Sequence, residues 1–162
     1  MALWLVTGGC GFIGSHLVEA LLNRGDAVRV LDNLSSGFRE NIPSGIDLRI
    51  GDVADEAAVR AAMSGVDGCF HLAAVSSVQR CTEDWVGSHR TNATGTVNIF
   101  DKARAMAVPV VYASSAAVYG DNEQVPLAES AATSPSSAAS WPPQRSLQNA
   151  CHSCSPLNLF NS

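Results

Sequence analysis

The sequence predicts a doubly wound α/β fold, a parallel sheet with helices on both faces. Three observations carry this. Short apolar runs alternate with amphipathic runs through residue 113. A glycine-rich turn, Thr7-Gly8-Gly9-Cys10-Gly11-Phe12-Ile13-Gly14, separates the first apolar run from the first amphipathic one. The second apolar run ends on an acid, Asp32.

Each element follows from its residues. Residues 3–7 read as the first strand and 12–24 as the first helix. Residues 28–32 form the second strand, and 33–45, rich in Ser, Gly, Asn and Pro, a loop. The third strand is 47–51. Asp55 caps a helix that reaches Met63, with Glu56 in its first turn. The fourth strand is 68–72, a helical stretch covers 84–106 with a bend near Gly95, and the fifth strand is 108–113. Right-handed crossovers bring the carboxyl ends of such strands to one edge, where ligands bind. Asp32, Asp52, Ala73 and Ser115 fall at that edge. The expected strand order is 3-2-1-4-5, with the fifth strand an open edge that invites self-association. Residues 1–129 are read as one dinucleotide-binding domain. Residues 130–162 are read as an irregular tail whose only Asp, Glu, Lys or Arg is Arg145.

The glycine turn has the chemistry of a phosphate cradle. Gly8 or Gly9 allows the sharp turn, Gly11 leaves the backbone open to a pyrophosphate, and Gly14 lets the helix lie close to the sheet. Free N–H groups and the positive end of the helix dipole then hold the phosphates. A carboxylate at Asp32 accepts hydrogen bonds from an adenosine ribose diol and repels a 2′-phosphate, so NAD is favoured over NADP. Arg29 is an opposing signal, since a guanidinium can hold that phosphate, but it lies inside the strand.

Bulk properties narrow the function classes. The net charge of −5 leaves no basic footprint for nucleic acid. No apolar run reaches the ~20 residues of a membrane span. The first residues lack a basic start and a cleavage site, so a soluble cytoplasmic protein is expected. Cys10, Cys69, Cys81, Cys151 and Cys154 show no disulfide-scaffold spacing and are read as reduced thiols. Cys151, His152 and Cys154 lack a second ligand pair, so no metal is expected.

Six segments then carry a resemblance: TGGCGFIGSHL at 7–17, LDNLSSG at 31–37, GDVAD at 51–55, HLAA at 71–74, NATGT at 92–96 and SSAAVYG at 114–120. In this order and spacing they resemble the extended short-chain dehydrogenase/reductase family, and within it the NAD-dependent sugar-nucleotide 4-epimerases of the UDP-glucose 4-epimerase type. The resemblance runs to about residue 135 and implies a Rossmann-like sheet of which this chain carries the N-terminal half. It implies pyrophosphate contacts at Gly8, Gly11, Phe12, Ile13 and Gly14, and adenosine ribose contacts at Asp32 and Asn33. It further implies adenine contacts at Asp52 and Val53, and nicotinamide ribose contacts at Leu72, Ala73 and Ala74. Asn92 would bridge backbone groups beside the cofactor or serve as a helix-internal structural amide, and Ser114 counts among the cofactor contacts. Ser115 would hydrogen-bond the hydroxyl of the oxidised sugar carbon. His71 is read as a packed core histidine, Cys10 as a small spacer, and Trp85 as core or interface.

The same resemblance separates reactions. Dehydratases and decarboxylases of this type place acids just after the hydroxyl residue, where this chain has Ala116 and Ala117, so a nucleotide-sugar 4-epimerase is favoured. The family's tyrosine and lysine align with Ser137 and Trp141. Only Tyr112, Tyr119 and Lys102 carry those side chains. No substrate lobe is recognisable after Trp141, and the chain is read as catalytically incomplete. A non-catalytic NAD-binding module and a sugar-nucleotide dehydratase stay as alternatives.

Overall fold

Short apolar runs become strands and amphipathic runs become helices in the computed structural model, which describes residues 1–119, 126–128, 130 and 131. The elements are β1 (Leu3–Thr7), α1 (Phe12–Asn23), β2 (Ala27–Asp32), β3 (Asp47–Ile50), α2 (Glu56–Met63), β4 (Gly68–His71), α3 (Val78–Glu83), α4 (Trp85–His89), α5 (Gly95–Met106) and β5 (Val110–Tyr112). The sheet is parallel with order β3-β2-β1-β4-β5, as the sequence predicts. Register aligns the carboxyl ends: Thr7 lies opposite Leu31 on one side and His71 on the other, and His71 lies opposite Tyr112.

The sheet buries both faces because successive side chains point to opposite sides. Leu5 faces a cluster with Leu31, Val59, Met63, Cys69 and Ile99, which draws in α2 and α5. Its neighbour Val6 faces the other cluster, with Val18, Leu21, Val28 and Val30, which draws in α1. The helix ends are set locally. Asp55 accepts hydrogen bonds from the Ala57 and Ala58 amides and caps α2. Gly25, at φ +87°, closes the end of α1. Arg29 does not face a ligand edge. Its guanidinium pairs with Asp47 at 2.6 Å and donates to the carbonyls of Ala62 and Ser64 at the end of α2.

The helical stretch expected over 84–106 differs in detail. A short helix, α3, precedes it, held by the Ser77 side chain at its start. Asp84 caps α4 by accepting from the Gly87 amide. The irregularity falls at a π-helical turn, Arg90–Thr94, just before Gly95. Gly95 packs so closely on Val53 that a Cβ there would lie 2.5 Å from a Val53 methyl.

The chain divides into two units, Met1–Ala113 and Ser114–Ser162. The first contains the whole sheet. In the second, a 3-10 turn spans Ala116–Tyr119, closed by the Val118 amide donating to the Ser115 carbonyl at 3.1 Å. Ser137, Trp141 and the Cys151-His152-Cys154 cluster lie outside the described residues, as does most of the expected tail.

The two-sided core makes a direct prediction. Leu5 is fully buried in the central strand. Leu5→Ala should cost about 2–5 kcal/mol in chemical denaturation, and Asp55→Ala, which removes a cap and no core, about 1 kcal/mol.

Candidate functional site

A cleft of about 540 Å³ opens at the carboxyl ends of the strands, within the usual size of small-molecule sites. Its walls are the glycine turn after β1, the loop after β2 and the segment after β4. Gly8, Gly11, Phe12, Ile13, Gly14, Asp32, Asn33, Val53, Leu72, Ala73 and Ala74 all line it. Asp52 and Asn92 do not.

Close backbone packing shapes the turn. Gly8 sits at φ +69°, and a Cβ there would lie 2.8 Å from the Ala73 nitrogen and 2.9 Å from the Leu72 carbonyl carbon. A Cβ on Gly14 would collide with the Gly8 carbonyl oxygen. The Gly8 amide donates to the Leu31 carbonyl at 2.9 Å, and the Gly11 amide to the Gly8 carbonyl at 3.1 Å. Gly11 is the N-cap of α1 and offers no side chain to its first amides, so those amides face the cleft without a side-chain acceptor.

Asp32 joins two walls. It is 8% exposed. One carboxylate oxygen accepts the Cys10 amide at 2.9 Å and the other the Leu34 amide at 2.8 Å. Leu34 adopts φ +56° in that turn, and its side chain packs on the α1-side core. Asn33 follows the same pattern, accepting the Ser35 amide at 3.0 Å. Asp52 is turned to its own loop. It accepts the Ala54 amide at 2.8 Å and lies 3.5 Å from the Asn33 amide nitrogen.

Behind the cleft lies a buried polar chain. Thr96 Oγ1 donates to the Asn92 carbonyl at 2.7 Å, so it can only accept from His71 Nε2, 3.0 Å away. The proton of the neutral ring therefore sits on Nε2. Nδ1 accepts from the Thr7 hydroxyl at 2.7 Å. That hydroxyl's lone pairs receive the Leu72 and Ala73 amides, each at 3.3 Å. Burial pushes the His71 pKa down to about 4, in keeping with a neutral ring. The Asn92 side chain closes a two-bond clamp on Val75, accepting its amide at 2.8 Å and donating to its carbonyl at 3.0 Å.

Other expected groups take different places. Cys10 is fully buried, and burial together with the Asp32 carboxylate pushes its thiol up to about 11. A thiol so buried has little thiolate character, in keeping with a spacer. Cys10, Cys69 and Cys81 are free thiols. Ser114 and Ser115 belong to the second unit. Among the described residues no group of three or more His, Cys, Asp or Glu could hold a metal, and no helix is long and apolar enough to cross a membrane.

The sequence reading missed several lining residues: Ser35, Ser36 and Gly37 after β2, Ser76, Ser77 and Arg80 around α3, and Thr91. It also missed Thr7 and Thr96. The available signals were a threonine at the last position of the strand before the glycines, and the spacing of four between Asn92 and Thr96 on a helix.

Comparison with known proteins places the chain. The model of the NAD dependent epimerase/dehydratase family matches residues 4–144. A UDP-glucose 4-epimerase of Streptomyces lividans is 39% identical over 136 residues, covering 82% of this chain and 41% of that protein. UDP-glucuronic acid decarboxylase 2 of Arabidopsis thaliana is 35% identical over 125 residues, covering 77% of this chain and 28% of that protein. The crystal structure of Thermus thermophilus UDP-glucose 4-epimerase in complex with NAD superposes with a TM-score of 0.81 at 37% identity, over 94% of this chain and 49% of that one. The chain belongs to the NAD dependent epimerase/dehydratase family. It spans about two fifths of the length of the 4-epimerases it matches.

The buried imidazole sets a pH dependence. An unfolded histidine titrates near 6.5 and the folded His71 near 4. Between those values the unfolded chain holds the extra proton. The stabilisation is therefore full above pH 6.5 and is lost as pH falls toward 4, on the order of 3 kcal/mol in all. Denaturation midpoints from pH 7 to pH 4 should fall less steeply for His71→Asn than for the unmodified chain.

Proposed function

We propose that this chain carries the NAD-binding portion of a nucleotide-sugar 4-epimerase acting on UDP-glucose or UDP-N-acetylglucosamine, and that as written it is catalytically incomplete. The observation that carries the reading is the cleft itself, in which uncapped helix amides, crowded glycines and a carboxylate at the end of β2 meet at the carboxyl edge of the sheet.

The residues suit a dinucleotide. Gly11 and Gly14 would let a pyrophosphate approach the first amides of α1, where N–H groups and the helix dipole favour an anion. Asp32 uses one acceptor position on each oxygen for backbone amides. A carboxylate oxygen has a second, free for the hydroxyls of an adenosine ribose beside Asn33. The Leu72–Ala74 backbone would flank the nicotinamide end. When bound, NAD supplies reversible oxidation and reduction at the sugar C4. The chain's task is to orient the two reactants and to hold the hydroxyl proton. Ser115 would accept or donate at the C4 hydroxyl. Ala116 and Ala117 carry no proton, which favours epimerisation over the elimination chemistry of dehydratases.

The proton acceptor is the weak point. Serine at 137 is a far weaker acid than a tyrosine, and Trp141 brings no positive charge to lower a neighbouring pKa. This motivates a second reading, a dinucleotide-binding module without turnover. We infer that residues 1–129 form this module.

Two measurements follow. The chain should bind NAD more tightly than NADP, and Asp32→Asn, which removes the charge that opposes a 2′-phosphate, should narrow the difference. Equal affinities in the unmodified chain would contradict the role of Asp32. Incubated with NAD and UDP-glucose, the chain should give C4 epimer at least ~10²–10⁴-fold more slowly than an enzyme with a positioned base. Ordinary turnover would sink the claim of incompleteness, and NAD binding without turnover would favour the module.

A further inference from the structure

We propose that His71 is a positioning residue of the cleft: by joining Thr7 to Thr96 it holds residues 72–75 in place against the glycine turn. The proposal rests on the reading of the cleft as a dinucleotide site, and its test separates the two.

Three attachments converge on this short segment. The Thr7 hydroxyl receives the Ala73 amide and shares the Leu72 amide with the Thr7 carbonyl, 3.1 Å from that nitrogen. Gly8 packs against the Ala73 backbone with no room for a Cβ. The Asn92 side chain clamps both backbone groups of Val75. Without His71 the first and third attachments would be independent. The imidazole makes them one chain, from the Asn92 carbonyl through Thr96, His71 and Thr7 to the Leu72 and Ala73 amides.

The chain runs in one direction only. A carbonyl cannot donate, so the Thr96 hydrogen is committed to Asn92, the ring hydrogen to Thr96, and the Thr7 hydrogen to the ring. Turning the Thr7 hydroxyl away leaves the buried Nδ1 of His71 without its donor, which is costly away from water. Residues 72–75 therefore have one favoured position. Leu72, Ala73, Ala74 and Val75 all line the cleft, and a shift of Ala73 toward Gly8 is blocked. A phenylalanine at 71 would keep the core position filled, with a slightly larger ring, and supply none of this.

The test uses the full chain with His71→Phe, His71→Asn and Thr96→Val. Amide hydrogen exchange is followed at Leu72, Ala73 and Val75, with Leu5 and Val30 as references inside the sheet. NAD affinity is measured by titration alongside. His71→Phe should speed exchange at the three segment amides at least tenfold while the references keep their rates, and should weaken NAD binding at least tenfold. His71→Asn keeps an acceptor for Thr7 but falls short of Thr96. It should give a smaller loss, which adding Thr96→Val does not enlarge, because the link is already broken. Segment amides that exchange at unmodified rates in His71→Phe would overturn the proposal. So would equal acceleration of segment and reference amides in both His71 variants, which is the mark of a purely structural core residue. If the unmodified chain binds no NAD, the dinucleotide reading falls and the exchange rates alone decide the role of His71.

Discussion

The cleft depends on two pieces of backbone lying against each other, Gly8 of the first crossover and Leu72–Ala73 beyond β4. At that contact a single added carbon would sit under 3 Å from backbone atoms of the neighbouring segment. Neither side can yield without moving a strand end, because Thr7 and His71 pair directly in the sheet. The parallel register brings the two segments to the same level, and glycine at 8, with its positive φ, allows them to close. Gly14 repeats the arrangement one turn later and seats α1 on the same loop.

Polar groups around this contact are used in a consistent way. Buried carboxylates and amides hold backbone rather than one another. Asp32 ties the glycine turn to the loop after β2, Asn92 ties the π-helical turn to the segment after β4, and Thr7 ties β1 to that same segment. Each replaces a hydrogen bond that an irregular loop would otherwise take from water. The result is a rim of loops tied together by side-chain-to-backbone hydrogen bonds. The strong cation in this part of the sheet, Arg29, is drawn to Asp47 and the end of α2, which leaves the Asp32 carboxylate without a neutralising partner on its own strand.

Much of this was legible in the sequence because its causes are local. The five strands and the cap at Asp55 follow from periodicity and from a residue type with one preferred use, and their order from the doubly wound fold that the glycine turn and the motifs imply. The glycine turn and Asp32 were legible because few other chemistries need three close glycines between a strand and a helix. Asp52, just after β3, does not line the cleft and accepts the Ala54 amide two residues on, as Asp32 accepts that of Leu34. The bend near Gly95 was legible and falls at the π-helical turn before it, where Gly95 meets Val53; the separate helices α3 and α4 were not. The proton direction through His71 could not be read either. It depends on Thr7, His71 and Thr96, which are up to 89 positions apart in the sequence and meet only in the fold.

The central claim is that this rim holds a dinucleotide with its pyrophosphate on the glycine turn and its ribose at Asp32. Amide chemical-shift mapping during an NAD titration tests it most directly. The largest saturable changes should fall on Gly11–Gly14, on Asp32–Leu34 and on Leu72–Val75. Changes centred on other parts of the sheet, or none in the glycine turn at saturation, would contradict it.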